Sequence, residues 1–442
     1  MSGSARRKFE MEQVLMFGLL MLAFMVFAVV GVPVFFAMGL ASLVFVLLSN
    51  GAVPLNVLAS SLVQGMDSFA FLAIPFFFLA GELMNTGGIT RRLLAFAGAL
   101  VGHIRGGLSH VAILSSMVFS GVSGSAVADA SAIGSSMIPA MKEQGYPPAY
   151  AAAVVAAAST MGPIIPPSIA FVVYALVSEV SVGKLFLAGA IPGLLMGVYL
   201  LVTASIVARR RNFPYTERAS RARFWTALKE ALPALAMPVI ILGGIVGGVT
   251  TPTEAGVAAV IYAIVVGVFV YRELNWRQII SITRESMISS GMILLTIAAS
   301  GIFSWLVANM AIGETLAKTL LSMTDSRWVM LALINVVLLL WGLALEPAVA
   351  LVTLVPVLVP IAHAYQIDLV HLGVVVVLNL MIGQLTPPSG VISFLTAQIA
   401  GAPLHAVFRE ALPFTLALIA VLLLVTFVPP LALWLPELLL SR

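Results

Sequence analysis

Apolar stretches of about 20 residues follow one another along most of the chain, and they restrict its fold more than any other feature. A helix of about 20 apolar residues crosses the hydrocarbon core of a bilayer, which is roughly 30 Å thick. Of the residues, 61% are hydrophobic and only 9% are charged, too little charge to cover a soluble protein of this length. The sequence therefore predicts an all-α protein that crosses the membrane many times.

The charged residues lie mainly between the apolar stretches. The net charge is +4, and the basic residues form no single face, which gives nucleic-acid binding no support. Cysteine is absent, which excludes disulfides and thiolate metal sites. Residues 1–13 form a polar, basic N-terminal segment, and the apolar run after it is long enough to stay in the membrane.

The chain contains an internal repeat with a shift of 221 residues, half its length. Gly-Pro-Ile-Ile-Pro-Pro-Ser at 162–168 recurs as Gly-Gln-Leu-Thr-Pro-Pro-Ser at 383–389. The same shift places Pro139 on Pro360 and Gly121 on Gly342 without a gap. We interpret this as a gene duplication.

Each half is predicted to contain about five transmembrane helices, one of them broken, and one re-entrant hairpin. The first half covers 14–208, and the second covers 231–442. The hairpins are predicted at 107–142 and 328–365, and the broken helices at 146–178 and 370–400. The remaining spans are predicted at 14–32, 34–50, 68–87, 185–208, 231–250, 252–272, 286–308 and 407–430.

The segment 209–230 between the halves carries seven of the 22 Lys and Arg residues, so we expect it to be a cytoplasmic linker. Five crossings per half is an odd number, which gives the two halves opposite orientations. With the linker inside, 15 of the 22 basic residues lie on the cytoplasmic side. Inverted repeats of this kind are typical of secondary transporters.

The two proline motifs predict exposed backbone oxygens at membrane depth. A proline cannot donate a hydrogen bond to the carbonyl four residues earlier. The freed carbonyls belong to Ser159, Gly162, Pro163, Gly383 and Gln384. Such oxygens, together with hydroxyl groups, suit a hard cation such as sodium. Helix N-termini at the same breaks suit a substrate carboxylate.

Two acidic residues, Asp129 and Glu346, fall at the hairpin tips. Carboxylates inside a membrane are costly unless they are paired or hydrated, so both are functional candidates. Either is a possible acceptor in the substrate pocket, a neighbour of an ion site, or a helix cap.

Several motifs together resemble the large membrane subunit of TRAP transporters, the DctM-like family. They are Ser-Gly-Ser-Ala-Val-Ala-Asp-Ala at 123–130, the two proline motifs, Thr-Pro-Thr-Glu-Ala at 251–255 and Gly-Glu-Leu-Met at 81–84. The resemblance covers essentially the whole chain. Two positions depart from the family pattern: Glu346 stands where an aspartate is usual, and Ser-Gly-Val-Ile at 389–392 replaces Val-Gly-Leu-Asn.

The resemblance implies a sodium-driven elevator of the bacterial inner membrane, in which the hairpins and broken helices form a mobile transport domain. The implied substrate is a small organic anion, a carboxylate such as a C4-dicarboxylate, a keto acid or a sialic or sugar acid. It also implies two partners, a small four-helix membrane subunit and a periplasmic substrate-binding protein. At least two sodium sites are expected. Their implied residues are Ser120, Ser123, Gly162, Ile165 and Pro167 in the first half, and Gly342, Gly383, Thr386 and Pro388 in the second. The implied substrate-binding residues are Ser125, Asp129, Ser168 and Glu346.

Three other functions are weighed against this one. A stand-alone sodium-coupled carrier of the divalent-anion type also has inverted repeats with hairpins, but it works without a binding protein. An intramembrane enzyme would use Asp129 and Glu346 as an acid pair, although no protease or hydrolase motif accompanies them. A passive channel would not drive uptake against a gradient.

Overall fold

The computed structural model describes residues 16, 18–27, 30–48, 53–65, 67–215, 217–310, 312–343 and 345–440. These residues form helices and the turns between them, and no β-strand occurs among them. The predicted N-terminal segment, 1–13, lies outside the described residues.

The described part of the first half contains ten helices and a short 3-10 turn at Phe69–Leu72 that leads into the fourth helix. The helices are α1 (Gly18–Phe27), α2 (Val34–Leu48), α3 (Asn56–Gln64), α4 (Ala73–Thr86), α5 (Ile89–Val101), α6 (Gly107–Ser123), α7 (Ala126–Glu143), α8 (Pro148–Ser159), α9 (Ile169–Ser178) and α10 (Val182–Arg210).

The second half repeats much of this order. Its helices are α11 (Arg221–Val246), α12 (Pro252–Val265, continued by a π-helical turn at Val266–Val270), α13 (Trp276–Asn309), α14 (Ile312–Met323), α15 (Arg327–Gly342), α16 (Pro347–Ala364), α17 (Leu369–Gly383), α18 (Val391–Ala400), α19 (Leu404–Phe427) and α20 (Pro430–Leu440). At the shift of 221, α7 coincides with α16 at both ends. The hairpin α6–α7 corresponds to α15–α16, and the broken helix α8–α9 corresponds to α17–α18.

Packing between the halves is reciprocal. Helix α9 packs against α16, and α18, the counterpart of α9, packs against α7, the counterpart of α16. Likewise α4 packs against α12, while α13 packs against α2. Each such contact recurs with the two helices replaced by their counterparts in the other half. Reciprocal contacts of this kind indicate a two-fold relation between the two halves. This arrangement agrees with the two repeats read from the sequence.

Several helix boundaries differ from the predicted ones. Helix α11 begins at Arg221, inside the predicted linker 209–230, because the Ser220 side chain accepts from the Arg223 N–H at 3.2 Å and caps the helix. Helix α13 begins at Trp276, ten residues before its predicted span, because Asn275 and Gln278 form a reciprocal capping box.

Four helices were not predicted: α3, α5, α14 and α20. Two of them, α5 and α14, are counterparts at the shift of 221, and each connects a membrane helix to the hairpin that follows it. Each is amphipathic, with a buried face that includes Leu93 in α5 and Ala317 in α14. The mean hydropathy of a short helix with one polar face is lower than that of a membrane span. For this reason the hydropathy pattern did not predict either helix.

Among the described residues, six helices are long and apolar enough to cross a membrane. They are α10, α11, α12 with its π-helical turn, α13, α16 and α19. Shorter apolar helices, including the hairpin and broken-helix pieces, lie between them. The predicted fold class, an all-α polytopic membrane protein built from two repeats, is confirmed.

The predicted orientation is testable because the chain has no cysteine of its own. Glu217→Cys, in the exposed segment before α11, is expected to react with a membrane-impermeant maleimide only after the inner membrane is opened. Asp325→Cys, exposed between α14 and α15, is expected to react in spheroplasts with an intact inner membrane. Labelling of both residues from the same side would contradict the inverted arrangement.

Candidate functional site

The tip of the first hairpin lies against the break in the α8–α9 helix. Gly124 ends α6 with φ 61°, and its carbonyl accepts from the Ile169 N–H at 3.4 Å. A Cβ atom at Gly124 would lie 2.6 Å from the carbonyl oxygen of Pro167. The positive φ and this close approach both require glycine here. The sequence therefore brings its first polar tip and its first proline motif into direct contact.

Asp129 lies behind this tip, within a cluster of oxygen atoms. Its Oδ2 accepts from the Ser120 hydroxyl at 2.7 Å, and its Oδ1 accepts from the Ser123 hydroxyl. A Cβ atom at Gly162 would lie 2.9 Å from Asp129 Oδ2, so the backbone of the break reaches the same place. Asp129 and Ser120 are 0% exposed, and Ser123 is 3% exposed. We call Ser120, Ser123, Asp129 and Gly162 the first oxygen cluster.

Two residues implied for the first sodium site occupy other positions around this cluster. The Pro167 carbonyl lies at the hairpin tip beside Gly124. The Ile165 side chain faces α10, where a Cβ atom at Gly193 would lie 2.5 Å from its Cγ1. The side chain of Ile165 therefore packs between helices, and only its backbone is available to a cation.

In the second half, the end of α15 meets the end of α17 through their backbones. A Cβ atom at Gly383 would lie 2.5 Å from the carbonyl oxygen of Gly342. The Thr386 hydroxyl donates to the Gly383 carbonyl at 3.1 Å. We call Gly342, Gly383 and Thr386 the second oxygen cluster. Pro388, also implied for this site, follows Pro387 in a cis peptide bond and is exposed.

The second oxygen cluster has no counterpart of Asp129. The residue 221 positions after Asp129 is Ala350, and the residue 221 positions after Ser120 is Trp341. Its oxygens are thus carbonyl and hydroxyl groups, whereas the first cluster also contains a carboxylate.

Three of the carbonyls freed by proline have partners within their own break. The Pro163 carbonyl accepts from the Ser168 hydroxyl at 2.5 Å, and the Ser159 carbonyl accepts from the Gly162 N–H at 3.1 Å. The Gly383 carbonyl accepts from Thr386, as described above. A carbonyl oxygen carries two lone pairs, so a single hydrogen bond leaves one for a cation.

A cavity lies between the two hairpin tips and the two breaks. Ligand sites in helical proteins commonly lie in clefts between helices, as this cavity does. The residues that line it are Phe78, Gly124, Ser125, Ala126, Val127, Pro163, Ile169, Ala170, Val173, Ile293, Glu346, Pro347, Ala348, Met381, Gln384, Val391 and Ile392. Glu346 is the single charged side chain among these described lining residues, and it is exposed.

Four helix N-termini meet at this cavity, since the first residues of α7, α9, α16 and α18 all belong to its lining. Ser125 caps α7 by accepting from the Ala128 N–H at 3.4 Å, and Ser168 caps α9 by accepting from the Phe171 N–H at 3.1 Å. Each N-terminus carries about half a positive charge. Together they create an environment that favours an anion.

Of the four residues implied for substrate binding, Ser125 and Glu346 line the cavity. Asp129 and Ser168 are fully buried outside the lining, one in the first oxygen cluster and the other as the cap of α9. Gln384 lines the cavity and was missed, although it directly follows Gly383 in the second proline motif. The signal that could have found it is the shift of 221, which pairs it with Pro163, another lining residue.

Comparisons with known proteins place the chain among membrane permeases. The model of the family described as "Tripartite ATP-independent periplasmic transporter, DctM component" matches residues 21–431. The sialic acid TRAP transporter large permease protein SiaM of Vibrio cholerae is 42% identical over 93% of this chain and 96% of its own length. The C4-dicarboxylate TRAP transporter large permease protein DctM of Pseudomonas aeruginosa is 42% identical over 86% of this chain and 89% of its own length.

Two further matches are informative. The isethionate TRAP transporter permease protein DctMQ of Oleidesulfovibrio alaskensis is 39% identical over 92% of this chain, which corresponds to 64% of that longer protein. The crystal structure of the YdaH transporter of Alcanivorax borkumensis superposes with a TM-score of 0.60 at 18% identity, covering 87% of this chain and 90% of that chain. The YdaH likeness shows a shared fold and nothing more.

Because the backbones of α15 and α17 are in contact, we expect the substitution Gly383→Ala to reduce the stability of the protein strongly. Gly383→Ala places a Cβ against the backbone of Gly342, which cannot move as a side chain can. We expect a loss of stability of about 2 kcal/mol or more, measured as a lower midpoint of thermal unfolding in detergent. Gly243→Ala in α11 is the matched control, because nothing lies within 4 Å of its added Cβ. Equal unfolding midpoints for the two variants would contradict the close approach.

Proposed function

Because this chain belongs to the family of DctM components of tripartite ATP-independent periplasmic transporters, we propose that it carries a small organic acid into the cell together with sodium. The family makes the chain an inner-membrane transport protein and not an enzyme, so the intramembrane acid-pair alternative is wrong. The sodium coupling, the kind of acid and the motion are the proposed parts.

The observation that carries the sodium proposal is the first oxygen cluster. Two hydroxyl groups and a carboxylate converge in a buried volume beside the backbone of a broken helix. Oxygen ligands of this kind suit a hard cation, and a cation would balance the charge of a carboxylate whose side-chain partners are the hydroxyl groups of Ser120 and Ser123. Sodium is here a transported ion, and the second oxygen cluster would hold another through carbonyl and hydroxyl oxygens.

The position of Asp129 offers a physical reason for coupling. Asp129 lies in the first turn of α7, whose N-terminus faces the cavity. Without a cation, its carboxylate offsets the partial positive charge of that N-terminus. A sodium ion at the cluster offsets the carboxylate in turn, so an anion in the cavity is favoured once sodium is bound.

The four N-termini support an organic acid as the substrate. The names of the similar permeases state sialic acid, C4-dicarboxylates and isethionate, which are all organic acids. We propose a carboxylate for the present chain, because four helix N-termini face the cavity and favour an acid group there.

Two partners complete the proposed system. The family description calls the transporter tripartite, and DctMQ is longer than the region this chain matches. We propose a small four-helix membrane subunit beside this chain and a periplasmic binding protein that delivers the acid. Membrane lipid covers the remaining apolar surface.

An elevator motion is supported by the unequal packing of the two hairpins. In the second half, α16 packs against both α13 and α14, and a Cβ atom at Gly313 would lie 3.0 Å from Pro360 Cβ. The register-matched proline of the first hairpin, Pro139, is exposed. Two repeats in unequal environments indicate one end state of an exchange in which the hairpins alternate their contacts.

Removing oxygens from the first cluster is expected to weaken the response to sodium. For Ser123→Ala and Asp129→Asn, we expect the sodium concentration at half-maximal thermal stabilisation to rise about tenfold or more, since a tenfold change corresponds to about 1.4 kcal/mol. The measurement is a sodium titration of the purified protein at constant ionic strength, with choline as the replacement cation.

Ser135→Ala is the control for that titration. Ser135 lies on the same helix, is exposed, and donates only to the Ala132 carbonyl at 3.1 Å. Its midpoint should match that of the unmodified protein. An unchanged midpoint in both cluster variants would refute sodium binding at Asp129.

Locking the second hairpin to α14 is expected to stop transport. The double variant Gly313→Cys and Pro360→Cys places two Cβ atoms 3.0 Å apart in a chain without other cysteines. A disulfide spans about 3.5–4.5 Å between Cβ atoms, so a shift of about 0.5 Å between the two helices lets oxidation form one. Uptake in cells that express the whole transporter should fall to background after oxidation and return on reduction.

The matched control for this experiment is Phe76→Cys with Gly256→Cys. These residues join α4 to α12, and their Cβ atoms would also lie 3.0 Å apart. In the proposed motion the hairpins and the broken helices move, and α4 and α12 belong to neither, so uptake should persist when this pair is oxidised. Full uptake with the 313–360 disulfide in place would exclude the elevator motion.

A further inference from the structure

We infer that the second break binds the substrate at two points: the N-terminus of α18 takes a carboxylate, and the side-chain oxygen of Gln384 accepts a hydrogen bond from a hydroxyl group of the same molecule. The substrate is then a hydroxy acid, whether it carries one acid group or two. This inference rests on the proposed function and adds the substrate class.

The two hairpin tips are joined to their breaks in different ways. In the first half, the Gly124 carbonyl accepts from the backbone N–H of Ile169 at 3.4 Å. The residue 221 positions after Gly124 is Leu345, and its carbonyl accepts from the side chain of Gln384, whose Nε2 lies 3.3 Å away. Gln384 stands in the register of Pro163, which has no side-chain donor. The second half therefore places an amide side chain where the first half uses the backbone alone.

The bond to Leu345 determines which way the Gln384 amide points. A carbonyl oxygen only accepts hydrogen bonds, so the amide nitrogen must face it and the amide oxygen lies on the other branch of the group. Gln384 is 3% exposed and lines the cavity. Its Oε1 has no hydrogen-bond partner among the described residues, and it is not closed off in the interior as the unpartnered Oδ1 of Asn379 is. A nearly buried acceptor is thus left open to a ligand.

The other polar side chains of the described lining interact with their own helices. The Ser125 hydroxyl accepts from the Ala128 N–H at 3.4 Å, and the Glu346 carboxyl accepts from the Ala348 N–H. The remaining lining side chains are apolar. Because the Gln384 oxygen is a neutral acceptor, it requires a donor from the ligand, and a hydroxyl group supplies one without adding charge.

The N-terminus of α18 lies beside Gln384 and has no side-chain cap. The Ser393 hydroxyl, in the first turn of α18, donates at 3.1 Å to the carbonyl of Leu385, the residue that follows Gln384. In the first half Ser168 caps α9, but the hydroxyl of Ser389, its counterpart at the shift of 221, makes no hydrogen bond, and no side chain caps α18. The free N–H groups and partial positive charge of this helix end favour a carboxylate.

Both groups belong to one wall of the cavity, because Gln384 and the first two residues of α18, Val391 and Ile392, all line it. A hydroxy acid can bind both at once: its carboxylate accepts from the N–H groups of α18, and its hydroxyl group donates to Gln384. An acid without the hydroxyl group covers the Gln384 oxygen without giving it a partner, so it binds more weakly.

The test compares acids that differ only in their hydroxyl groups. The pairs are propionate with lactate, succinate with malate, and hexanoate with gluconate, so that the hydroxyl group is varied for monocarboxylates and for a dicarboxylate. Binding to the purified full chain in lipid nanodiscs is measured by calorimetry and by thermal shift, in saturating sodium and in choline.

We expect the hydroxy acid of at least one pair to bind about tenfold or more tightly than its partner without hydroxyl groups. In Gln384→Met, which removes the amide at nearly constant length, the ratio should fall below about threefold. If Gln384 served only to hold the hairpin tip, the variant would weaken both acids of a pair equally and leave the ratio unchanged. Gln398→Met, at an exposed glutamine of α18 outside the described lining, should keep the original ratio.

The inference is overturned if no hydroxy acid of the set binds more than about threefold more tightly than its partner, if Gln384→Met leaves the ratio unchanged, or if no acid of the set binds. The first comparison uses the unmodified protein, so it tests the inference even if Gln384→Met does not fold. The comparison of sodium with choline addresses the proposed function separately. A hydroxyl preference that persists equally in choline would remove the sodium coupling and leave the substrate class intact.

Discussion

The architecture depends on how the chain satisfies helix ends that lie at membrane depth. A helix that stops inside hydrocarbon leaves N–H and C=O groups without partners, and each costs several kcal/mol. In this protein the two hairpin tips and the two breaks meet, so that one element supplies what another lacks. The Ile169 N–H donates to the Gly124 carbonyl, and the Ser168 hydroxyl donates to the Pro163 carbonyl. Of the groups that remain, the helix N-termini face the cavity, and the oxygens form the two oxygen clusters.

Much of this could be predicted from sequence because duplication leaves a constant shift. Glycine and proline cannot be replaced freely where a backbone turns or approaches another, so the motifs at 162–168 and 383–389 keep their pattern in both halves. The hairpins and breaks followed directly from those motifs. By contrast, α5 and α14 carry a narrow apolar face and too little total hydropathy, and the start of α11 depends on the single cap at Ser220. Such local features are weak signals in a chain that is apolar almost throughout.

The site was harder to predict than the fold, because neighbouring residues on one helix can point in different directions. Ser125 and Asp129 are one turn apart, and both had been implied for the substrate pocket. In the structure only Ser125 lines the cavity, while the Asp129 side chain turns back to Ser120 and Ser123. Ser168 is similar, since its hydroxyl is fully engaged between Pro163 and Phe171. Which side of a helix faces a cavity is set by packing with other elements, and a single sequence does not contain that information.

The two halves have diverged in opposite ways at the same register. The first half has a carboxylate in its oxygen cluster, Asp129, and a neutral hydroxyl in the cavity, Ser125. The second half has Ala350 in place of that carboxylate and an acid in the cavity, Glu346. A cation at the first cluster would gain a direct charge interaction, whereas one at the second would gain only carbonyl and hydroxyl dipoles, so the first should bind sodium more tightly. The symmetric scaffold thus holds an asymmetric site, with a buried carboxylate beside the first break and a carboxylate in the cavity at the second hairpin tip.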